Sequence, residues 1–218
     1  IEILRGPQSI LWGSNAIGGV VNVRTNRPTA PLEGRVSIEG GSRNTLNARA
    51  GVGGSGKLLD WRIAGSTFTT DGISARTSGT ERDGFERQSA SGTLTAKIAP
   101  TLSADLRGYY SHGSNDFDGF SGDSRAFGVT QTWVTYAGIN ATVLDGRLAN
   151  RLAFIETRTD RDNFDPARSI RTKTFDAQGR TRRYEYQGDL TLSDMVQVSF
   201  GAEREEQRMR TASPRDNN

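Results

Sequence analysis

Gly13-Ser14-Asn15-Ala16-Ile17-Gly18-Gly19 is a stretch whose glycine spacing suggests a phosphate cradle. Such a loop needs a lysine after its glycines to meet the phosphates, and a helix whose N-terminus faces them. Val20-Val21-Asn22-Val23 follows instead, an apolar run that reads as a strand, so neither a phosphate loop nor a dinucleotide fingerprint fits. Nucleophilic chemistry fares no better. His112 is the single histidine, and Ser111 beside it points to the opposite face of a regular strand, so the two cannot form a dyad. The absence of cysteine removes thiol catalysis, zinc-thiolate sites and disulfides together. Asp105 is most simply paired with Arg107.

The composition narrows the class. Only 33% of the 218 residues are hydrophobic, yet there are 26 glycines and only 6 prolines. A net charge of +3, with acids interleaved among the arginines, is too small and too dispersed to imply nucleic acid. No run approaches the ~18 apolar residues of a membrane helix. The chain opens at Ile1, inside an apolar segment and without an initiator methionine, as expected for an internal fragment of a longer protein.

The elements that carry these residues follow from hydropathy of period two. Val36 and Ile38 alternate with Arg35, Ser37 and Glu39; Leu46, Ala48, Ala50 and Val52 alternate with Asn47, Arg49 and Gly51. The same pattern continues through Leu59-Trp61-Ile63, Leu94-Ala96-Ile98, Leu102-Ala104-Leu106, Tyr184-Tyr186 and Val196-Val198-Phe200. Residues 133–144 and 148–159 are less regular strands. About nine strands and no amphipathic helix result. Beyond a short first connection at Ser42-Arg43-Asn44, tight turns at Gly53-Gly54-Ser55-Gly56, Ala99-Pro100, Asp145-Gly146-Arg147 and Ser193-Asp194 alternate with long polar loops near 71–84, 113–130 and 162–180. Sorting of loop length by strand parity is the habit of an outer-membrane barrel, with short periplasmic turns and long extracellular loops. Trp61, Tyr109, Tyr110, Trp133, Tyr136, Tyr184 and Tyr186 are expected to form interfacial aromatic girdles. A large soluble antiparallel sheet is the alternative.

Residues 1–28 resemble the end of the plug domain of TonB-dependent outer-membrane transporters. The resemblance rests on Glu2-Ile3-Leu4, Arg5-Gly6-Pro7, Leu11-Trp12-Gly13, Ala16-Ile17-Gly18-Gly19 and Val20-Val21-Asn22-Val23, in order and spacing, with Trp12 where Tyr or Phe is more usual. It implies an all-β membrane barrel, about nine strands of a 22-stranded one, preceded by the end of an α+β plug. Residues 1–27 would be plug, 28–33 linker and 34–218 barrel. Arg5, Gly6, Pro7, Gly13, Gly18, Gly19 and Asn22 would be structural, with Glu2 and Arg5 paired inside a polar lumen. The TonB-contacting segment and the remaining strands would lie elsewhere in the protein, and a nine-strand sheet with two open edges is not expected to fold alone.

The barrel part resembles the cobalamin (vitamin B12) transporter branch. Thr80-Glu81-Arg82-Asp83-Gly84-Phe85 is similar to that branch's Thr-Asp-x-Asp-Gly-Phe segment, and Asp116-Phe117-Asp118 to an Asn-Tyr-Asp segment. The resemblance implies calcium held in extracellular loops by Glu81, Asp83, Asp116, Asp118 and Asp123, a cation that takes six to eight oxygens at flexible geometry. Ser74 stands where another acid is expected. The competing reading is a solvated acidic loop balancing Arg76, Arg82, Arg87 and Arg125. Active import of a scarce nutrient, in concert with the TonB protein and within outer-membrane lipid, is the expected function. Cobalamin is the first cargo; a siderophore, haem or another metal chelate is the alternative. A passive porin would lack the plug motif, and a barrel enzyme lacks its catalytic groups.

Overall fold

The computed structural model describes residues 2–6, 18–22, 27–76, 79–119, 122–167 and 172–212. Pro7 and Gly13 of the plug motif lie outside them. Two sheets are present among the described residues. A short antiparallel pair joins β1 (Glu2–Arg5) to β2 (Gly19–Asn22), with Arg5 opposite Gly19. The second is a nine-stranded antiparallel meander in which every strand pairs with its sequence neighbours. It runs through β3 (Glu33–Gly41), β4 (Thr45–Ser55), β5 (Leu59–Ile73), β6 (Asp83–Ala99), β7 (Leu102–Gly119), β8 (Gly122–Val143), β9 (Leu148–Phe164), β10 (Lys173–Ser193) and β11 (Val196–Ala212).

In the small pair two glycines are required by geometry. Gly6 has φ of +90° and passes its N–H to the Gly18 carbonyl, which extends the ladder by one bond. Gly19 has φ of +146°, and a Cβ there would run into the Leu4 carbonyl. The glycine stretch therefore ends in a strand that packs on another strand. Within this chain β1 pairs with β2, and its side chains, Glu2 and Arg5 among them, are exposed.

The register of the large sheet sorts side chains onto two faces without ambiguity. One cross-strand row on the outer face reads Ala104, Ile139, Leu152, Tyr186 and Ala202. The adjacent inner positions carry Asp105, Arg151, Gln187 and Glu203. Among the described residues the buried hydrophobic side chains of the sheet are Ala126 and Ala153, while Val36, Ile38, Ile63, Leu106, Ile139 and Leu152 are more than half exposed. A sheet that buries almost no apolar surface within its own chain, yet aligns most of it on one face, is matched to a lipid solvent. On the other face Asp105 is 4% exposed and hydrogen-bonded across strands: it accepts from Thr95 Oγ1 at 2.5 Å and Asn140 Nδ2 at 2.8 Å.

Two expectations need correction. Trp61, Tyr110, Trp133, Tyr184 and Tyr186 do stand on the lipid face, but Tyr109 and Tyr136 point inward. Tyr136 lies under the Arg107 guanidinium, 4.5 Å from the ring centroid, because it occupies the opposite parity on β8. Of the stretch near 162–180, Lys173 to Arg180 are strand, paired with β9, and the stretch near 113–130 is also no loop. It is a β-hairpin, paired from Asn115–Gly128 up to Gly119–Gly122. At about 3.3 Å per residue the 22 residues of β8 reach roughly 70 Å, against an apolar band of about 25 Å, so the hairpin stands far out of the membrane.

Ile139 lies near the middle of the apolar band, between Ala104 and Leu152. Ile139→Arg should lower folding stability in bilayers by about 2–4 kcal/mol. Ser91→Arg, on the inner face, should cost much less. Denaturant titration of the full-length protein in lipid vesicles checks the difference, and equal costs would contradict the assignment of faces.

Candidate functional site

The outer ends of β5, β6, β7 and β8 meet above the membrane, and the sheet breaks its regularity there. The β5–β6 ladder slips between Thr70 and Ile73, so that Ile73 pairs with Asp83. Gly72 makes this bulge possible: its φ is +70°, and a Cβ would overlap the Asp83 carbonyl. The bulge aims the start of β6 toward the tip of the β7–β8 hairpin.

Three carboxylates converge there. Glu81, Asp83 and Asp118 each offer an oxygen within 4.8 Å of the other two. Backbone amides hold part of the set. Ser124 N donates to Glu81 Oε1 at 2.9 Å and to Asp118 Oδ1 at 3.2 Å, and Ala75 N donates to Asp83 Oδ2 at 2.5 Å. Asp83 Oδ1 and Asp118 Oδ2 are buried and have no hydrogen-bond partner among the described residues. Buried acceptors are rarely left this way, since each forgoes its solvation without a replacement.

The electrostatics agree. Glu81 is held above the usual carboxylate range, chiefly by its close contact with Asp118, then by burial and by the charges of Asp118 and Asp123. Asp123 is shifted the other way, because Thr80 N and Oγ1 donate to Oδ2 at 2.8 and 3.3 Å. Asp116 accepts from Gly84 N at 3.2 Å. Of the five acids named from the sequence, the structure thus gathers three and uses Asp116 and Asp123 to fasten strand ends beside them. Ser74 turns away: its hydroxyl donates to the Arg76 carbonyl and accepts from the Arg76 amide. What sequence reasoning missed is the part of the backbone amides of Ala75, Thr80, Gly84 and Ser124, a donor that every residue but proline shares.

The signs for pH follow. Glu81's raised pKa means that its neutral form suits the folded tip: that contribution is full below the ordinary glutamate pKa and is lost as pH rises through the raised value. Asp123's lowered pKa contributes above the ordinary aspartate pKa and is lost as pH falls through the lowered value. Asp118→Asn should return Glu81 toward its ordinary titration while leaving Asp123 low. Carboxyl-carbon NMR titration in metal-free buffer checks this; an unmoved Glu81 would show that Asp118 is not its perturber.

The two-faced meander and its elaborated outer end define an outer-membrane barrel wall, with a short strand pair, β1 and β2, before it in the chain. No protein-family profile matches the chain. It is 27% identical over 209 residues to the vitamin B12 transporter BtuB of Photobacterium profundum, covering 93% of this chain and 33% of that protein. It is 32% identical over 148 residues to the ferric enterobactin receptor PirA of Pseudomonas aeruginosa, covering 60% of this chain and 20% of that protein. The crystal structure of the siderophore receptor PirA from Acinetobacter baumannii superimposes with a TM-score of 0.72 at 19% identity, over 95% of this chain and 34% of that one, a likeness of fold. These similarities are all to TonB-dependent receptors of the outer membrane, and the chain spans about a third or less of the length of these relatives.

Proposed function

We propose that the chain is part of an energy-coupled importer that takes up cobalamin across the bacterial outer membrane, with the TonB protein as its inner-membrane-linked partner. Similarity to the vitamin B12 transporter over 93% of the chain is the observation that carries the cargo. The wall described above is suited to such a machine, since its inner face is polar and its outer end projects toward the medium.

Calcium belongs to the same reading. Glu81, Asp83 and Asp118 would hold it, and the fit is chemical: each offers a hard oxygen within reach of the other two, and one buried oxygen each of Asp83 and Asp118 lacks a donor among the described residues. When bound, the cation supplies positive charge that relieves carboxylate repulsion. The chain's part is to bring the β5–β6 connection and the β7–β8 hairpin into one rigid surface, with Ser124 N and Ala75 N orienting the ligands. A siderophore cargo is the second reading, favoured by the higher identity, 32%, to the ferric enterobactin receptor over a shorter stretch.

Full-length receptor should bind cobalamin, and more tightly with calcium than with a chelator. Asp118→Asn and Glu81→Gln should weaken calcium binding by at least about tenfold, the effect of one lost charged contact. Calcium affinity should also fall on acidification, because protons compete for a group whose pKa is already raised. Isothermal titration checks each point. Binding of a ferric siderophore and no cobalamin would move the cargo to the second reading; calcium-independent cobalamin binding would remove the ion's role alone.

A further inference from the structure

Arg82 stands in the chain between Glu81 and Asp83, two of the three clustered carboxylates, and just ahead of β6. An arginine at that position is long enough to fold back onto either neighbour. Forked donation from a guanidinium to a carboxylate is among the stronger charge-assisted contacts. Left free, Arg82 would therefore occupy the oxygens that a cation needs. It is turned elsewhere: Arg82 Nη1 donates to Asp71 Oδ2 at 2.8 Å.

Asp71 is itself fixed by the β3–β4 turn. Its N–H donates to the Arg43 carbonyl at 2.9 Å, and its Oδ2 also accepts from Asn44 Nδ2 at 2.7 Å. Arg43 and Asn44 have φ of +59° and +53°, a left-handed conformation that disfavours most residues with a Cβ. Thr45 Oγ1 ties the same turn to Thr70 Oγ1 at 2.8 Å, one residue before Asp71. Asp71 thus keeps its place without Arg82. The converse does not hold, because the Arg82 side chain has no second hydrogen bond or ion pair among the described residues. Arg82 is 62% exposed and Asp71 37%, so the pair adds little to stability. Its consequence is direction: it commits to Asp71 a positive charge that would otherwise lie among Glu81, Asp83 and Asp118.

We infer that Asp71 is a positioning residue, which retains the Arg82 guanidinium and so keeps the three carboxylates open to a divalent cation. That role presupposes the calcium reading above and adds to it a residue that supplies none of the ligand oxygens. Asn44 supports Asp71 from the neighbouring turn.

The test uses detergent-purified full-length receptor, calcium alone as the probe, and a double-mutant cycle. Asp71→Asn should weaken calcium binding at least about fivefold, since the freed guanidinium competes for the same oxygens. Arg82→Gln should bind calcium at least as tightly as the unmodified receptor, and the double variant should match Arg82→Gln. A residue that merely anchored the bulge would cost the same with or without Arg82; that result would overturn the assignment, as would an Arg82→Gln loss equal to that of Asp71→Asn. Heat-modifiable migration reports folding. If Asp71→Asn fails to fold, Asn44→Gly, which suits the left-handed turn and loosens Asp71, should weaken binding in the same Arg82-dependent way. A metal-free measurement separates this role from the ion's. Phenylglyoxal labelling of Arg82 in chelator, read by peptide mass spectrometry, should slow severalfold in Asp71→Asn, and adding Asp118→Asn should reverse the slowing. An unchanged or faster rate in Asp71→Asn would overturn the assignment whether or not calcium binds. Slowed labelling in a receptor that binds no calcium would remove the calcium reading and leave the retention of Arg82 by Asp71 standing.

Discussion

Inside a bilayer, no water is available to a backbone N–H or carbonyl, so every strand must satisfy its own groups on its neighbours. The rest of this structure follows from that constraint. It forces a continuous ladder from β3 to β11, in which each strand pairs only with the strands adjacent in sequence. It also forces unbroken alternation, because one slipped residue would turn a whole strand's apolar set into the lumen. The register shifts that do occur lie at Thr70/Ile73, Lys97/Ala99, Phe117/Gly119, Lys173/Phe175 and Thr191/Ser193, all near strand ends. Irregularity is tolerated only where water can reach it.

The carboxylate cluster depends on that same rule. A bulge at Gly72 would be costly within the apolar band, but beyond it the chain is free to bend toward the β7–β8 tip. The hairpin in turn reaches the bulge because its ladder persists well past the girdle instead of opening into loop. Regular pairing below and a permitted defect above together bring Glu81, from a connection, beside Asp118, from a strand. Thirty-seven residues of chain separate the two, and only the meander makes them neighbours.

The barrel wall was largely legible in the sequence because period two and the parity of connections are both local signals. The outward series of β4, Leu46-Ala48-Ala50-Val52, needs no tertiary information to read. The faces of Tyr109 and Tyr136 were not legible while aromatic type, rather than parity, was taken as the guide; counting from Leu106 or Trp133 places both inward. The extension of β7 and β8 was hidden by composition. Gly113, Ser114, Asn115, Asp116 and Gly119 have the residue types of loops, yet cross-strand pairing holds them extended. For the candidate site, the acids in Thr80–Phe85 and Asp116–Asp118 could be named from side-chain type. Which of them converge could not, because Ser124 and Ala75 contribute through backbone amides that every residue possesses.

Charge is balanced differently on the three surfaces of this sheet, and the difference points to what each meets. Facing the lumen, Arg183 is surrounded by Glu185, Glu203 and Glu205, Lys97 pairs with Asp60 at 2.7 Å, and Asp105 is fully hydrogen-bonded. Those charges are resolved within the wall, so the inner face can border a polar interior without relying on a ligand for its stability. At the outer tip the imbalance is negative, with two buried carboxylate oxygens lacking donors. On the lipid side of β9–β11, Arg158, Arg180 and Arg208 share one row, and two of them are paired, with Asp160 and Glu156. The unmatched charge at the outer tip therefore lies where the wall meets the medium, whereas the lumen charges named above are matched within the sheet.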